Sequence, residues 1–399
     1  MAGFYRDTWI EIKLDHVIEN VANLKKHFYH DKRILAVVKA DSYGHGSVMV
    51  AKALETIGVD FFGVATLDEA LELRLHGIRG DILVFGLVRL SDLELVSRNN
   101  LIVSITSVEW LKNAVHNYPG PKVRTHLKVE TGLHRLGIRL PDLDTVINLL
   151  NESPRFSLEG LYSHLATAPS SDETYYHFQM ASFLSIFKKA SELSLSTISY
   201  VHITNSAASL KRLPKEINLI RLGLMINGVL PKKDLALPFA LKPSLSLYST
   251  LVDVKLLPKG SKVGYNCDYE TEAEEWIGTV AIGYADGIMP AMTGGKVYVE
   301  DNYQKIVGRI CMDYCFVRLD KFYPIGTKVE FIGPHISVDE FTEDNHTHNY
   351  HATCMLSDRI PRLYYQNNQL IATVNKRYYL CKEEKNKCIP YKFTPKLDR

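Results

Sequence analysis

A lysine closes the apolar run Ile34-Leu35-Ala36-Val37-Val38-Lys39, and Ala40-Asp41-Ser42-Tyr43-Gly44-His45-Gly46 follows as a turn bracketed by glycines. A continuous apolar run with β-branched residues suits a strand buried on both faces of a parallel sheet, which puts Lys39 at its C-terminal end. Two roles are open to it there. Its stem packs while its ammonium stays in water, or burial lowers its pKa and makes it a nucleophile toward a carbonyl carbon. Other polar residues fall at comparable points: Arg135 in Glu130-Thr131-Gly132-Leu133-His134-Arg135, His164 in Tyr162-Ser163-His164, His202 and Ser206 in His202-Ile203-Thr204-Asn205-Ser206-Ala207-Ala208, and Arg221 with Gly223. Singly, a buried arginine is an ordinary ion-pair partner and a lone histidine an ordinary core residue. Together with Ser-Ala-Ala and Arg-x-Gly turns, whose backbone N–H groups suit a phosphate, they describe a pocket for an anionic group that reacts with lysine.

The elements that must position these residues repeat. Trp9 to Asp15 alternates like a strand, and Val17, Ile18, Val21, Leu24 and Phe28 recur at helical spacing. Short apolar strands then alternate with amphipathic helices: 34–39, 61–66, 82–86, 101–105, 124–129, 158–163, 200–203 and 219–221 are the strands, with helices such as 48–57, 68–76 and 175–193 between them. About eight β/α units most simply close into a (β/α)8 barrel, since no Gly-rich dinucleotide turn follows the first strand. Near residue 240 the pattern changes to consecutive strands punctuated by Gly294-Gly295 and Asp301-Asn302. The expected architecture is thus α/β, an N-terminal TIM-like barrel over 12–240 and a mostly β domain formed by 1–11 with 241–380. Residues 381–399 form a charged tail.

Composition narrows the function. A chain of 399 residues with net charge +2 offers nothing to nucleic acid or a membrane surface. Its start has no apolar h-region and no apolar stretch is long enough to span a bilayer, so a cytoplasmic protein is expected. The six cysteines, Cys267, Cys311, Cys315, Cys354, Cys381 and Cys388, make no C-x-x-C pair and read as reduced thiols. His346, His348 and His351 read as a polar loop, and no metal is expected.

In a barrel, polar residues at strand C-termini converge on one face. A phosphate-bearing cofactor that reacts there with lysine is pyridoxal 5'-phosphate above all. With these motifs in view the sequence resembles the alanine racemase family, from about Trp9 to Tyr364. The resemblance rests on Ala36 to Gly46, on Trp276-Ile277-Gly278-Thr279-Val280-Ala281-Ile282-Gly283-Tyr284-Ala285-Asp286-Gly287, on Gly308-Arg309-Ile310-Cys311-Met312-Asp313 and on Arg359-Ile360-Pro361-Arg362.

The resemblance implies a two-base interconversion of L- and D-alanine that supplies D-alanine for peptidoglycan. Lys39 would hold the cofactor and, once released, act as one base at Cα. Tyr265 would act from the opposite face, because a base that returns a proton to the face it came from changes nothing. Tyr265 would come from a second subunit, making a homodimer with a shared active site. His164 would hydrogen-bond within this network and Arg221 would face the pyridine nitrogen. Arg135 would contact the cofactor and the substrate carboxylate, the latter shared with the Met312 backbone N–H. Tyr43, Ser206, Gly223, Leu224 and Tyr350 would cradle the phosphate with His202 behind them, and Lys128 matches a position often carbamylated in the family.

Three departures stand out: Asn266-Cys267-Asp268 where the family has glycine and then threonine, Asn227 for a tyrosine, and Pro169 for an aspartate. Rival readings are a serine or broad-specificity amino-acid racemase, which Tyr350 at the substrate pocket disfavours, and a non-catalytic pyridoxal-phosphate-binding regulatory protein. The latter would lack Tyr265 and the β domain. A decarboxylase relative would carry an acidic residue where Arg221 stands.

Overall fold

The structure, a computed structural model, describes residues 5–376 except 169, 196–197 and 233–234. Pro169, Cys381, Cys388, the last residues of the expected β domain (377–380) and the charged tail lie outside the described residues. His16–Pro243 form one compact unit, and the described residues up to Asp15 and from Ser244 onward form another. The chain thus passes between units at 15/16 and 243/244.

In the first unit, β2 (Arg33–Val37), β3 (Phe61–Val64), β4 (Asp81–Val84), β5 (Ile102–Ile105), β6 (Val123–Lys128), β7 (Phe156–Tyr162), β8 (Tyr200–His202) and β9 (Leu219–Leu222) pair in parallel in the order β8-β7-β6-β5-β4-β3-β2-β9. Such runs form because both strand faces are covered: every residue of β3, β5 and β9 is buried. At the β8–β9 seam Asn218 joins the strands, its backbone N–H donating to Val201 O at 3.2 Å and its side chain accepting from Val201 N at 2.9 Å.

The outer helices are held by an apolar stripe. Leu143–Glu152 buries Leu143, Val146, Ile147 and Leu150, the i, i+3, i+4, i+7 spacing of one helical face. The helix Leu67–Leu75 starts from a capping box, Thr66 accepting from Glu69 N while the Glu69 carboxylate accepts from Thr66 N. The helix expected at 48–57 runs Ser47–Glu55, ending just before Gly58, whose φ of +80° turns the chain into β3.

The second unit is mostly antiparallel. β10 (Leu245–Leu257), β13 (Glu275–Val280), β14 (Lys296–Val299), β15 (Asn302–Val307), β16 (Cys315–Leu319) and β17 (Lys328–Ile332) form a ring, because β13 pairs with both β16 and β10. The small hairpin of β11 (Lys262–Val263) and β12 (Tyr269–Glu270) stands beside it in sequence. β1 (Thr8–Lys13) pairs antiparallel with β10 and parallel with β18 (Arg362–Gln366), and β19 (Gln369–Val374) forms the edge. β15 stops at Val307, because Gly308 at φ +64° turns the chain.

Candidate active site

Lys39 opens a turn, Lys39–Gly44, in which Ala40, Asp41, Ser42 and Tyr43 all have φ between +51° and +56°. A left-handed turn of four L-residues costs roughly 1–2 kcal/mol per residue, so the surroundings must impose it. They do. The Glu69 carboxylate accepts from Ala40 N (2.8 Å) and Ala65 N (2.7 Å), Asn227 donates to Ser42 O (3.0 Å), and Asp41 accepts from Ser47 N (2.9 Å). Asn227, a departure from the family pattern, thus braces this turn.

Tyr43, Ser206 and Gly223 meet across the ends of β2, β8 and β9. Ser206 Oγ accepts from Gly223 N at 3.1 Å, and a methyl group at Gly223 would lie 2.5 Å from Tyr43 Oη. Leu224 follows as the first residue of a buried 3-10 turn. This is a cradle that only glycine leaves open.

Arg221 is 4% exposed, and its guanidinium donates to His202 Nδ1 (2.9 Å), His202 O (3.3 Å), Ser163 O (2.8 Å), Ile203 O (3.0 Å) and His164 Nδ1 (3.1 Å). All are neutral acceptors, and no carboxylate pairs with it among the described residues. Burial, with a contribution from Arg135, lowers its pKa to about 10, and burial together with Arg221 lowers that of His164 to about 2. His164 is therefore neutral with its proton on Nε2, because Nδ1 accepts from a group that can only donate. Lys128 is brought down to about 8 by burial and then by Arg135 and Arg221. Lys39, Lys128, Arg135 and Arg221 thus crowd one pocket with positive charge.

Arg135 stands in an exposed loop shaped by Glu130. Burial would raise the Glu130 pKa, but the N–H groups of His134, Gly132 and Leu133 outweigh it and hold the carboxylate ionised.

Residues that sequence reading did not single out complete the pocket. Tyr162 stacks on His202 at 4.8 Å and 4°, lies 5.5 Å from the Arg221 guanidinium and hydrogen-bonds Ser104 at 2.7 Å. Burial pushes its pKa to about 12, so it stays a neutral phenol. An aromatic residue in a buried strand reads as core, and only its place immediately before Ser163-His164 marks it. Glu69 and Glu130 hide in the same way, one in a capping box and one in a loop.

Tyr265, Met312 and Tyr350 belong to the other unit. Tyr265, 67% exposed, leads a short turn between β11 and β12 in which Gly264, Asn266 and Cys267 all have positive φ. Arg309 clamps that turn through Asp268 at 2.9 Å and through the Asn266 amide oxygen at 3.0 and 3.2 Å, with the amide oriented to face it. Two of the departing residues therefore fix the loop that presents Tyr265. Met312, 53% exposed, is held by backbone bonds from Tyr284 N to Cys311 O and Ala285 N to Met312 O, both 3.0 Å, while Arg359 pairs with the adjacent Asp313 at 2.6 Å. Tyr350 lies in the helix Asn349–Cys354, where burial raises its pKa.

His348 caps that helix by accepting from His351 N, and His351 bonds Thr347 at 2.6 Å. No cluster of three metal-binding side chains occurs among the described residues. Cys267, Cys311, Cys315 and Cys354 form no disulfide among the described residues, and burial holds Cys315 protonated.

A cationic pocket with a glycine-kept cradle, a lysine on a strained turn and a guanidinium donating only to neutral groups fits a phosphate-bearing aromatic aldehyde. The family comparison agrees. The model of the alanine racemase N-terminal domain matches residues 12–231, and that of the C-terminal domain matches residues 244–364. The chain belongs to the alanine racemase family. The alanine racemase of Geobacillus stearothermophilus is 40% identical over 94% of this chain and 98% of its own length, and alanine racemase 1 of Bacillus subtilis is 39% identical over 93% and 96%. The crystal structure of the Bacillus anthracis alanine racemase with bound L-Ala-P matches with a TM-score of 0.90 at 36% identity, covering 94% of this chain and 99% of that one. A histidine racemase from Leuconostoc mesenteroides subsp. sake matches with a TM-score of 0.83 at 27% identity over 91% and 99%. The resemblance drawn from four motifs is thereby confirmed along nearly the whole chain.

Proposed function

We propose that this chain is an alanine racemase that interconverts L- and D-alanine, working with pyridoxal 5'-phosphate in the cytoplasm and supplying D-alanine for the cell wall. The observation that carries the reading is Arg221, a buried cation whose contacts are all neutral. Burying a guanidinium without a carboxylate is costly unless its hydrogen bonds are complete, and five acceptors supply that here.

The residues fit the cofactor as follows. Lys39 would hold its aldehyde carbon, Tyr43, Ser206, Gly223, Leu224 and Tyr350 its phosphate, and Arg221 its ring nitrogen. When bound, the cofactor supplies an electron sink that makes the alanine Cα–H acidic. Arg221 keeps its proton, so with the cofactor bound it would leave the ring nitrogen unprotonated and the sink weak, which would limit decarboxylation and transamination. Lys39 serves one face of Cα as proton donor and acceptor, and Tyr265 of a second subunit serves the other. Arg135 and the Met312 N–H orient the substrate carboxylate. His164, neutral with Nε2–H, offers that proton as a hydrogen bond on the side of the network away from Arg221.

A wider substrate range is the second reading, because a neighbour of the same fold is named for histidine. Assays with L-alanine, L-serine and L-histidine, read by chiral product analysis while following the bound cofactor's absorbance in wild type and Lys39→Ala, test both. Alanine turns over fastest and Lys39→Ala loses the band of the lysine-linked cofactor. Faster turnover of serine or histidine would reverse the ranking, and a wild type without the band would remove the cofactor.

A further inference from the structure

Hydrogen bonds continue inward from Arg221 beyond the groups that reach the cofactor. A guanidinium only donates, so His202 Nδ1, 2.9 Å from Arg221 Nη1, carries a lone pair. His202 is fully buried and held neutral, so its one proton is on Nε2, which lies 3.0 Å from His126 Nδ1. The donor sense of that second bond is therefore fixed: His202 donates and His126 accepts. The His126 proton is then on Nε2, a fully buried atom with no hydrogen-bond partner among the described residues. The rings around it are aromatic, Tyr200 stacked at 5.5 Å and Phe61 edge-on at 5.8 Å.

Three structural costs converge on His126. Its outer N–H is unsatisfied, which is expensive in a dry interior. The β6–β7 register shifts between Thr125 and His126. Gly160 on β7 makes room for the ring, since a methyl group there would lie 2.6 Å from it. A leucine would fill the same space without the unsatisfied N–H. What leucine lacks is the Nδ1 lone pair.

We propose that His126 is a positioning residue for the racemase reaction: its Nδ1 accepts the His202 Nε2–H, pins that ring at both ends, and so holds the His202 lone pair on Arg221. This rests on the function proposed above. Without the acceptor, His202 has a buried, unsatisfied N–H, and a flip of the ring turns a carbon toward Arg221. The guanidinium then loses one of the bonds that keep it facing the cofactor.

The test combines histidine side-chain ¹H–¹⁵N spectra of the cofactor-free protein with product analysis of the holoenzyme. In wild type, both His202 and His126 are neutral Nε2–H tautomers from pH 5 to 9. In His126→Phe the His202 resonances move. The ratio of pyruvate formed to alanine racemised rises about tenfold, of the order that losing one buried hydrogen bond gives. Pyruvate marks abortive transfer, in which alanine gives its amino group and the two electrons of its Cα–H bond to the cofactor, so that alanine leaves as the keto acid and the cofactor aldehyde becomes an amine. His126→Asn, which keeps an acceptor, restores both readouts toward wild type. A His202 proton on Nδ1 in wild type, or unchanged spectra and product ratio in folded His126→Phe, overturns the proposal. If His126→Phe does not fold, Gly160→Ala takes its place with the same two outcomes. The spectra need no turnover, so a failure of the racemase reading leaves this result interpretable.

Discussion

Lys128 shows what a crowded cationic pocket costs. In the unfolded chain its amine takes up a proton near 10.5, but in the folded protein only near 8, because burial and then Arg135 and Arg221 oppose the charge. Between those values the unfolded chain binds more protons. Stability therefore falls as the pH drops from about 10.5 to about 8 and stays lowered below that window. Lys128→Met, which keeps the stem, is expected to stabilise the cofactor-free protein by about 1–2 kcal/mol at pH 7, since solvent screens part of the opposing charge, with the gain shrinking toward zero at pH 10.5. Urea unfolding at the two pH values measures it, and equal gains at both would contradict it. Lys39, Arg221 and His164 could be picked out beforehand because charged and imidazole groups at strand ends are unusual. Tyr162 and His126 could not, because a tyrosine or histidine inside a buried strand is the ordinary content of a core.

The element that most needs its neighbours is the turn from Lys39 to Gly44. No propensity in Ala-Asp-Ser-Tyr selects four left-handed residues, so the sequence showed a turn between glycines but not its hand. Its shape comes from Glu69, thirty residues on, whose carboxylate bridges Ala40 N and Ala65 N. Glu69→Ala removes that bridge together with half of a capping box. The expected loss is about 1–3 kcal/mol by urea unfolding, with faster cofactor release. Glu69→Gln, which keeps one acceptor oxygen, should fall between; a Glu69→Ala protein with wild-type stability and cofactor retention would show that the turn holds itself. The loop 263–269 makes a similar point. Asn266 and Asp268, departures from the family pattern, both bond Arg309 and fix the turn that carries Tyr265. Arg309→Ala should lower kcat with little change in KM, as expected when a base is misplaced rather than a binding group lost. A change confined to KM would assign Arg309 to substrate binding.

At the scale of the whole molecule, the alternation of strand and helix up to about residue 240 and the run of strands after it were legible, because a parallel barrel and an antiparallel sheet impose different hydrophobic periods. The placement of β1 was legible only in part. Its alternating pattern suits either unit, and pairing with β10 and β18 decides it. The proposed mechanism divides its two bases between the units, Lys39 in one and Tyr265 in the other, and draws them from different subunits of a homodimer. Mixing subunits tests this most directly. Lys39→Ala and Tyr265→Phe proteins, each inactive alone, are unfolded together and refolded. If each site takes its lysine from one subunit and its tyrosine from the other, half the dimers are mixed and each has one intact site, so about a quarter of wild-type racemase activity returns. If both bases come from the same subunit, every site keeps a lesion, and no recovery of activity would contradict the account.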